Sequence, residues 1–471
     1  MVSNRLRLIQ QLLCIFLLHE CLFNVGLAKK LDALVHYSEF VCATPQQETT
    51  IAQRYELILD GSCSVDLNTI KAINPNAIWF TYNSGTDNYA PGEEHNWLVS
   101  RCVQTGVDSE VLYQHYYNDT RVDILGQVFF IPGWGGGSAT HPSQARVLMY
   151  SSERNRFLCN YSNTNARQFY KEYNCRLVAQ LPPSSNHYFD GVFFDNSADQ
   201  LYNYGGILSG GAIAEHPTHA LIGSPEYQSW HWANFRTFFS ALKDTFALYQ
   251  SWTPDRKPKY ISAGTPAGAG IFDVVVLEFV HSPIRSWGNI IDIAANEDLQ
   301  SYNQGTKIMY EARLVQAMDG YLGNVSYGQS FIDNLAFYYI IKSDSSYIFM
   351  SGPYQVYANG WDTLVWRGCM DFDIGEPLGP YNLNFYSGVD GRGYSFKVRS
   401  RQYQGALVLC RPRGDWYQHF DDATIVNVPL GGTYRPLNPN GTLGSPVASI
   451  PMRNGQGAIL IPYSGSNTPP S

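Results

Sequence analysis

The chain is poor in charge. Asp, Glu, Lys and Arg make up 15% of it and the net charge is −8, against a usual charged share of about a quarter. Lys and Arg occur in nothing longer than short pairs, so the basic footprint that nucleic acid requires is missing. No apolar run reaches the length of about 18 residues that spans a membrane. The cysteines form no CxxC pair, which removes zinc-ribbon and thioredoxin chemistry. HExxH, G-x-S-x-G and the Rossmann glycine fingerprint are also missing. The chain therefore carries no local sign of a zinc peptidase, an α/β-hydrolase or a dinucleotide enzyme.

Aromatic residues, in contrast, are plentiful: 14% of the chain, with 33 Tyr and 10 Trp. That exceeds the needs of a core. Some of these flat, amphipathic rings are expected along an open groove, where they stack on sugars. The length of 471 residues suits one large barrel with a smaller module.

The N-terminus reads as a secretory signal. Arg5 and Arg7 precede an apolar run from Leu12 to Leu18, and Gly26 and Ala28 stand where cleavage after Ala28 needs small residues. His19 and Glu20 interrupt the apolar stretch, and an uncleaved anchor is the competing reading. Sequons begin at Asn118, Asn160, Asn324 and Asn440. A secreted, glycosylated protein is expected, located outside the cell or in the secretory lumen. Loss of the signal removes Cys14 and Cys21 and leaves Cys42, Cys63, Cys102, Cys159, Cys175, Cys369 and Cys410. An oxidising compartment predicts disulfides with one thiol left over. Proximity and domain placement suggest Cys42 with Cys63 and Cys369 with Cys410.

From about residue 32, short apolar runs alternate with longer amphipathic stretches, the pattern of βα units and a parallel sheet. Eight strands are predicted: Ala33–Tyr37, Ala77–Tyr82, Glu110–His115, Phe189–Asp195, Lys259–Ala263, Asp273–Phe279, Lys307–Glu311 and Ser346–Met350. Helices are predicted over Glu94–Gln104, Asn165–Leu181, Tyr227–Tyr249 and Gln329–Lys342. The expected fold class is α/β, a (β/α)8 TIM barrel over residues 30–390. After about residue 390 the strands become short and turn-rich, as in Tyr394–Val398, Ala406–Cys410, Ala423–Val428 and Ala458–Ile461. An antiparallel β-sandwich domain is expected over residues 391–463, followed by a disordered tail at 464–471. GWGGG at 133–137 lacks the Lys and Ser/Thr of a phosphate loop. It reads as a loop over the barrel mouth, with Trp134 near ligand, or as a plain surface loop.

The most informative segment is FDGVFFDN at 189–196. It describes a buried strand that ends on Asp195 and Asn196. In an α/β barrel the C-terminal strand ends face the active site. Val274 to Leu277 end on Glu278 in the same way. A pair of carboxyl groups is what glycoside hydrolysis requires: one protonates the leaving oxygen and the other attacks the anomeric carbon or activates water. The expected separation is about 5–5.5 Å for retention and about 6.5–9.5 Å for inversion. Asp195 also suits a helix cap, and Glu278 an ion-paired edge residue. Asp190 lies at the opposite end of its strand, about 16 Å away, and suits a structural role. Other strand ends offer sugar-binding groups: Tyr37, Tyr82, His115 with Tyr117, and Glu311, which competes with Glu278 as the acid. Asn196 joins them, as does Trp361 in NGWD at 359–362.

The strand-four segment is similar to the α-amylase-type motif Asp-Gly-x-Arg-x-Asp, which ends on the nucleophile. Phe193 replaces the arginine here, which argues against a true α-amylase. The chain more closely resembles family fifteen of the hypothetical glycoside-hydrolase-like barrels, over roughly residues 32–463. That likeness rests on the DG-apolar-apolar-D strand, the later strand ending on Glu, and DIGEPLGPY at 373–381. It extends to Arg401, Tyr403, Gly405 and a displaced Val408, with Arg411-Pro412 where the family has Asn-Pro. The resemblance implies a retaining barrel hydrolase with Asp195 as nucleophile and Glu278 as acid/base, a placement shared with the α-galactosidase clan. The expected partner is an oligo- or polysaccharide. The mechanism calls for no cofactor and no metal. The competing expectation is a non-catalytic carbohydrate-binding protein on the same scaffold.

Overall fold

The computed structural model describes residues 33–36, 45–60, 66–116, 146–147, 156–181, 185–195, 197, 216–222, 224–248, 259–263, 270–277, 303–313, 327–351, 367–391, 393, 395–412 and 424–464. The leader, Cys42, Cys63, the GWGGG loop and the tail after Ser464 lie outside them.

Two sheets organise the chain. The first has eight parallel strands: β1 (Ala33–His36), β2 (Leu57–Asp60), β3 (Ile78–Ser84), β6 (Gly191–Asp195), β7 (Tyr260–Ala263), β8 (Val274–Leu277), β9 (Lys307–Arg313) and β10 (Ser346–Ser351). They follow one another in chain order. Cα atoms of β1 and β10 approach within 8 Å. Between β3 and β6 a two-stranded antiparallel ribbon, β4 (Asp87–Tyr89) and β5 (Arg156–Leu158), is inserted.

Seven of the eight strands arise where the apolar runs predict them; the second does not. Leu57–Asp60 is the true β2, and Glu110–His115 is no strand of this sheet. Residues Ser109–Leu112 instead form a 3-10 turn capped by Asp108, whose carboxylate accepts from Glu110 N at 3.0 Å. The apolar alternation there serves packing within the insertion. Because one strand is gained early and one lost, Asp195 still ends the fourth strand of the sheet and Leu277 the sixth.

Helices α1 (Pro45–Arg54), α2 (Leu67–Ile73), α3 (Glu93–Thr105), α4 (Thr164–Ala179), α5 (Pro225–Ala247) and α6 (Tyr327–Ile341) connect the strands. Helix α5 shows why they form. Ser224 caps its start, with Oγ accepting from Tyr227 N at 3.2 Å, and Pro225 fits the first turn. Its buried stripe of Tyr227, Phe235, Phe238, Phe239, Leu242 and Phe246 follows the helical period. On β6 the alternation divides the core. Val192 and Phe194 join the cluster beneath the helices, where Phe194 meets Phe239 at 4.8 Å between ring centroids. Phe193 joins the other cluster with Val274, Val276, Met309, Tyr347 and Phe349.

The second sheet is antiparallel, in the order β11 (Asn382–Val389), β12 (Ser395–Gln402), β13 (Leu407–Arg411), β16 (Gln456–Pro462), β14 (Val426–Pro436) and β15 (Val447–Met452). Among the described residues it is one six-stranded sheet, where a two-sheet sandwich is expected. It also takes in Asn382–Val389, ahead of the expected boundary at 390. Both faces of its central strands β13 and β16 are buried. Val408, Cys410 and Ile459 pack with α6, while Leu407, Leu409, Ala458 and Leu460 enclose a separate core with Phe396 and Val428. Helix α6 docks the sheet: Tyr403 donates to Tyr339 O at 2.6 Å, and Arg401 donates to Lys342 O at 2.6 Å at the helix end, where carbonyls lack partners. A helix layer therefore does the work a second sheet would do.

All five described cysteines, Cys102, Cys159, Cys175, Cys369 and Cys410, are free thiols. This corrects the expected pairing of Cys369 with Cys410; each is buried in the apolar cluster under the helices, and burial pushes both thiols up to about 12.

Candidate active site

Asp195 closes β6 at the C-terminal end of the parallel sheet, half-buried after four buried residues. The ladder sets Ser84 opposite Asp195 and Tyr82 opposite Phe193. Residues two apart on a strand share a face, so Tyr82, Ser84, Phe193 and Asp195 share one. The Tyr82 hydroxyl donates to Asp195 Oδ2 at 2.6 Å, a charge-assisted length. Burial, and then the neighbouring Asp195 charge, raise the Tyr82 phenol far above its ordinary value. The phenol therefore stays protonated and remains a donor.

The end of β6 is clamped. Gly85 N donates to Asp195 O at 2.6 Å, and Tyr161 donates to Gly85 O at 2.6 Å. A Cβ on Gly85 would fall 2.8 Å from Ser197 Cβ and 3.1 Å from Asp195 O. Only glycine lets the chain after β3 pass so close to the carboxylate's own backbone.

Beside Asp195 lies a buried ion pair. Asp87 accepts from both Nε and Nη2 of Arg156, the latter at 2.9 Å, and from Ser84 Oγ at 2.6 Å. Its carboxyl is raised by burial, against the pull of Arg156, and Asp195 adds to the rise. Behind β3, on the opposite face from Tyr82, Asn83 reaches the helices. Its Nδ2 donates to Glu94 Oε1 at 3.1 Å and to Asn174 Oδ1 at 3.0 Å. Burial pushes Glu94 up to about 8, which favours its protonated form near neutral pH. Asn88 Nδ2 sits 2.7 Å from Glu94 Oε2 while Asn88 Oδ1 is buried without a partner.

The expected site residues separate clearly. Tyr82 is beside Asp195, with its hydroxyl directed at the carboxylate. His115 is fully buried; its Nε2 bonds Glu110 Oε2 at 2.9 Å. Glu110 also takes Nε of Arg146 at 2.9 Å, and these bonds overcome its burial and hold it down at about 2. His115 thus belongs to the packing of the insertion, not to a sugar-facing surface. Glu311 lies in β9 opposite Phe349. Tyr37, Tyr117, Asn196, Glu278 and Trp361 lie outside the described residues. Asp190 is structural, as its position implies: Lys71 Nζ is 2.6 Å from Oδ2 and Trp79 N donates to the same oxygen at 2.9 Å. Asp87, Glu94 and Arg156 escape sequence reasoning. A buried Asp in T-D-N-Y directly after a strand is the one local signal; Arg156 has none.

Among the described residues no group of three His, Cys, Asp or Glu forms a metal site. No described helix is long and apolar enough to cross a membrane.

No family model matches the chain, so membership of the uncharacterised barrel family is not established. No curated protein matches it in sequence either. Solved structures are similar to it in structure, at low sequence identity. A noncanonic maltogenic alpha-amylase from Thermotoga neapolitana is 10% identical, with 93% of this chain and 100% of that one covered and a TM-score of 0.45. Trehalose-6-phosphate hydrolase from Bacillus licheniformis is 8% identical over 92% and 99% of the two chains, with a TM-score of 0.44. A GH36 alpha-galactosidase from Geobacillus stearothermophilus, in complex with raffinose, is 10% identical over 88% and 52%, with a TM-score of 0.38. At these scores the strand order, not the likeness, carries the architecture.

Proposed function

We propose that the protein is a secreted glycoside hydrolase acting on an oligo- or polysaccharide, with the eight-stranded sheet closed as a TIM barrel and its site at the C-terminal strand ends. The observation that carries this reading is Asp195, at the end of the fourth strand, held by Tyr82 at 2.6 Å. A nucleophilic carboxylate needs one orientation, and a neutral phenol supplies it without opposing the negative charge.

Asp195 is the nucleophile in this reading and Glu278 the acid/base. Glu278 follows β8 directly and has the chain parity of Val274 and Val276, which pack on the Phe193 side. Through β7 the ladder sets Phe194 opposite Ala263 and Ala263 opposite Val275. The level of Asp195 is therefore that of Val276, and Glu278 is the second residue after Val276 in the chain. In the first step Glu278 protonates the glycosidic oxygen as that bond breaks, while an Asp195 oxygen bonds the anomeric carbon. In the second step Glu278 removes a proton from water, which displaces Asp195 and releases the sugar.

The test is hydrolysis of a panel of aryl α- and β-glycosides and natural oligosaccharides by the wild type, Asp195→Asn and Glu278→Gln. Loss in both variants, with folding intact by circular dichroism, supports the pair. Activity surviving in both overturns the assignment. Binding of sugars without hydrolysis of any of them turns the reading to a carbohydrate-binding protein.

A further inference from the structure

We propose that Tyr89 is a stacking platform for a pyranose unit next to the one that Asp195 attacks, an inference that rests on the glycoside hydrolase reading of this site. Tyr89 ends the short strand β4 and is 42% exposed, unusual for a large ring in this part of the chain. In the β4–β5 ribbon Asp87 pairs with Leu158, and Tyr89 with Arg156. Asp87 and Tyr89 are two residues apart and share a face of the ribbon, about 7 Å apart along the strand. Arg156 lies between them. It holds Asp87 through two hydrogen bonds, and its guanidinium carbon is 4.5 Å from the centre of the Tyr89 ring.

This ribbon leads away from Asp195. Ser84, opposite Asp195 in the ladder, donates to Asp87 at 2.6 Å. The face is closed at that end, where Asp87 and Leu158 are fully buried, and opens at Tyr89. The cation beneath the ring and the buried pair below it hold Tyr89 in one orientation, so little side-chain freedom remains to be lost on binding. The C–H face of a pyranose meets the negative face of an aromatic ring favourably. An exposed, pre-oriented ring one short strand from the nucleophile is therefore placed for the neighbouring sugar of a chain, which makes the substrate an oligosaccharide or longer.

The experiment measures oligosaccharide binding by calorimetry in the full chain, in an Asp195→Asn background that prevents turnover, with Tyr89→Ala, Tyr89→Phe and Tyr89→Trp added in turn. The oligosaccharides are those the wild type cleaves in the glycoside panel. Tyr89→Ala is expected to weaken binding about tenfold, and the loss to grow with chain length. Tyr89→Phe and Tyr89→Trp, which keep the ring, are expected to bind within about twofold of their parent. Equal affinity in the Ala variant, or an equal loss in the Phe variant, overturns the platform while hydrolysis by the wild type leaves the enzyme reading standing. A wild type that neither cleaves nor binds any sugar removes both.

Discussion

The hydroxyl of Tyr82 and the carboxylate of Asp195, 113 residues apart in the chain, meet at 2.6 Å across two neighbouring parallel strands. Hydrogen bonds to charged groups contribute about 1.5–3 kcal/mol. Tyr82→Phe keeps the ring beside Phe193 and removes the donor. Turnover should fall about 10- to 100-fold, and the unfolding midpoint should drop with the lost bond. Steady-state kinetics on the best substrate of the glycoside panel measures this. Unchanged turnover would show that the bond does not orient the nucleophile.

Glu94 gives the fold a pH dependence. The folded acid keeps its proton up to about 8, while an unfolded glutamate releases it near 4.5. The folded state then binds more protons between those values, and stability falls as pH rises through that window before levelling off above it. Glu94→Gln removes the titration. Urea unfolding from pH 4 to 9 should show a flatter profile for the variant and greater stability than wild type at the alkaline end. Parallel profiles would mean that Glu94 ionises in the fold without cost.

The Asp87–Arg156 pair is buried on both sides, with side chains 0% and 7% exposed. Breaking one half of such a pair strands the other charge, at about 3–5 kcal/mol. Arg156→Ala or Asp87→Ala should each destabilise by roughly that amount. The apolar double replacement Asp87→Leu with Arg156→Met should cost much less than the two single changes together. A double-mutant cycle of Asp87→Leu, Arg156→Met and the two together, by chemical denaturation, decides it, and additive losses would argue against direct coupling.

Helix α6 and the second sheet meet without a gap at Gly457. Its N–H donates to Asp333 Oδ1 at 2.9 Å, and a Cβ there would lie 2.5 Å from Ala336 Cβ and 3.0 Å from Asp333 O. Gly457→Ala should destabilise by about 1–3 kcal/mol through overpacking. Adding Ala336→Gly should recover part of the loss in a thermal melt. Full stability in the single variant would mean that the helix and sheet can slide apart at little cost.

Much of this was legible in the chain because strand burial is a local signal. FDGVFFDN marks β6 and its terminal acid by apolar composition alone, and the Tyr227–Tyr249 stretch marks α5 by its period. The miss at Glu110–His115 has a local appearance and a distant cause. Its alternating pattern suits a strand, but the Glu110 carboxylate bonds both His115 and Arg146, so the segment turns inward. Leu57–Asp60 went unread because it follows helix α1 after only Tyr55 and Glu56, with no Gly or Pro turn to mark its start.

The sequence by itself determined the parallel strand-and-helix alternation, the acid at the end of the fourth strand and the change to antiparallel strands near the C-terminus. Each follows from hydrophobic periodicity and turn chemistry within a few neighbouring residues. Only the tertiary structure decided that Tyr82 holds Asp195, that Arg156 lies between Asp87 and Tyr89, and that a helix covers the second sheet where a sandwich was expected. Those contacts join residues tens to hundreds of positions apart, and side-chain partners at such distances are chosen by strand order and register, which no local pattern encodes.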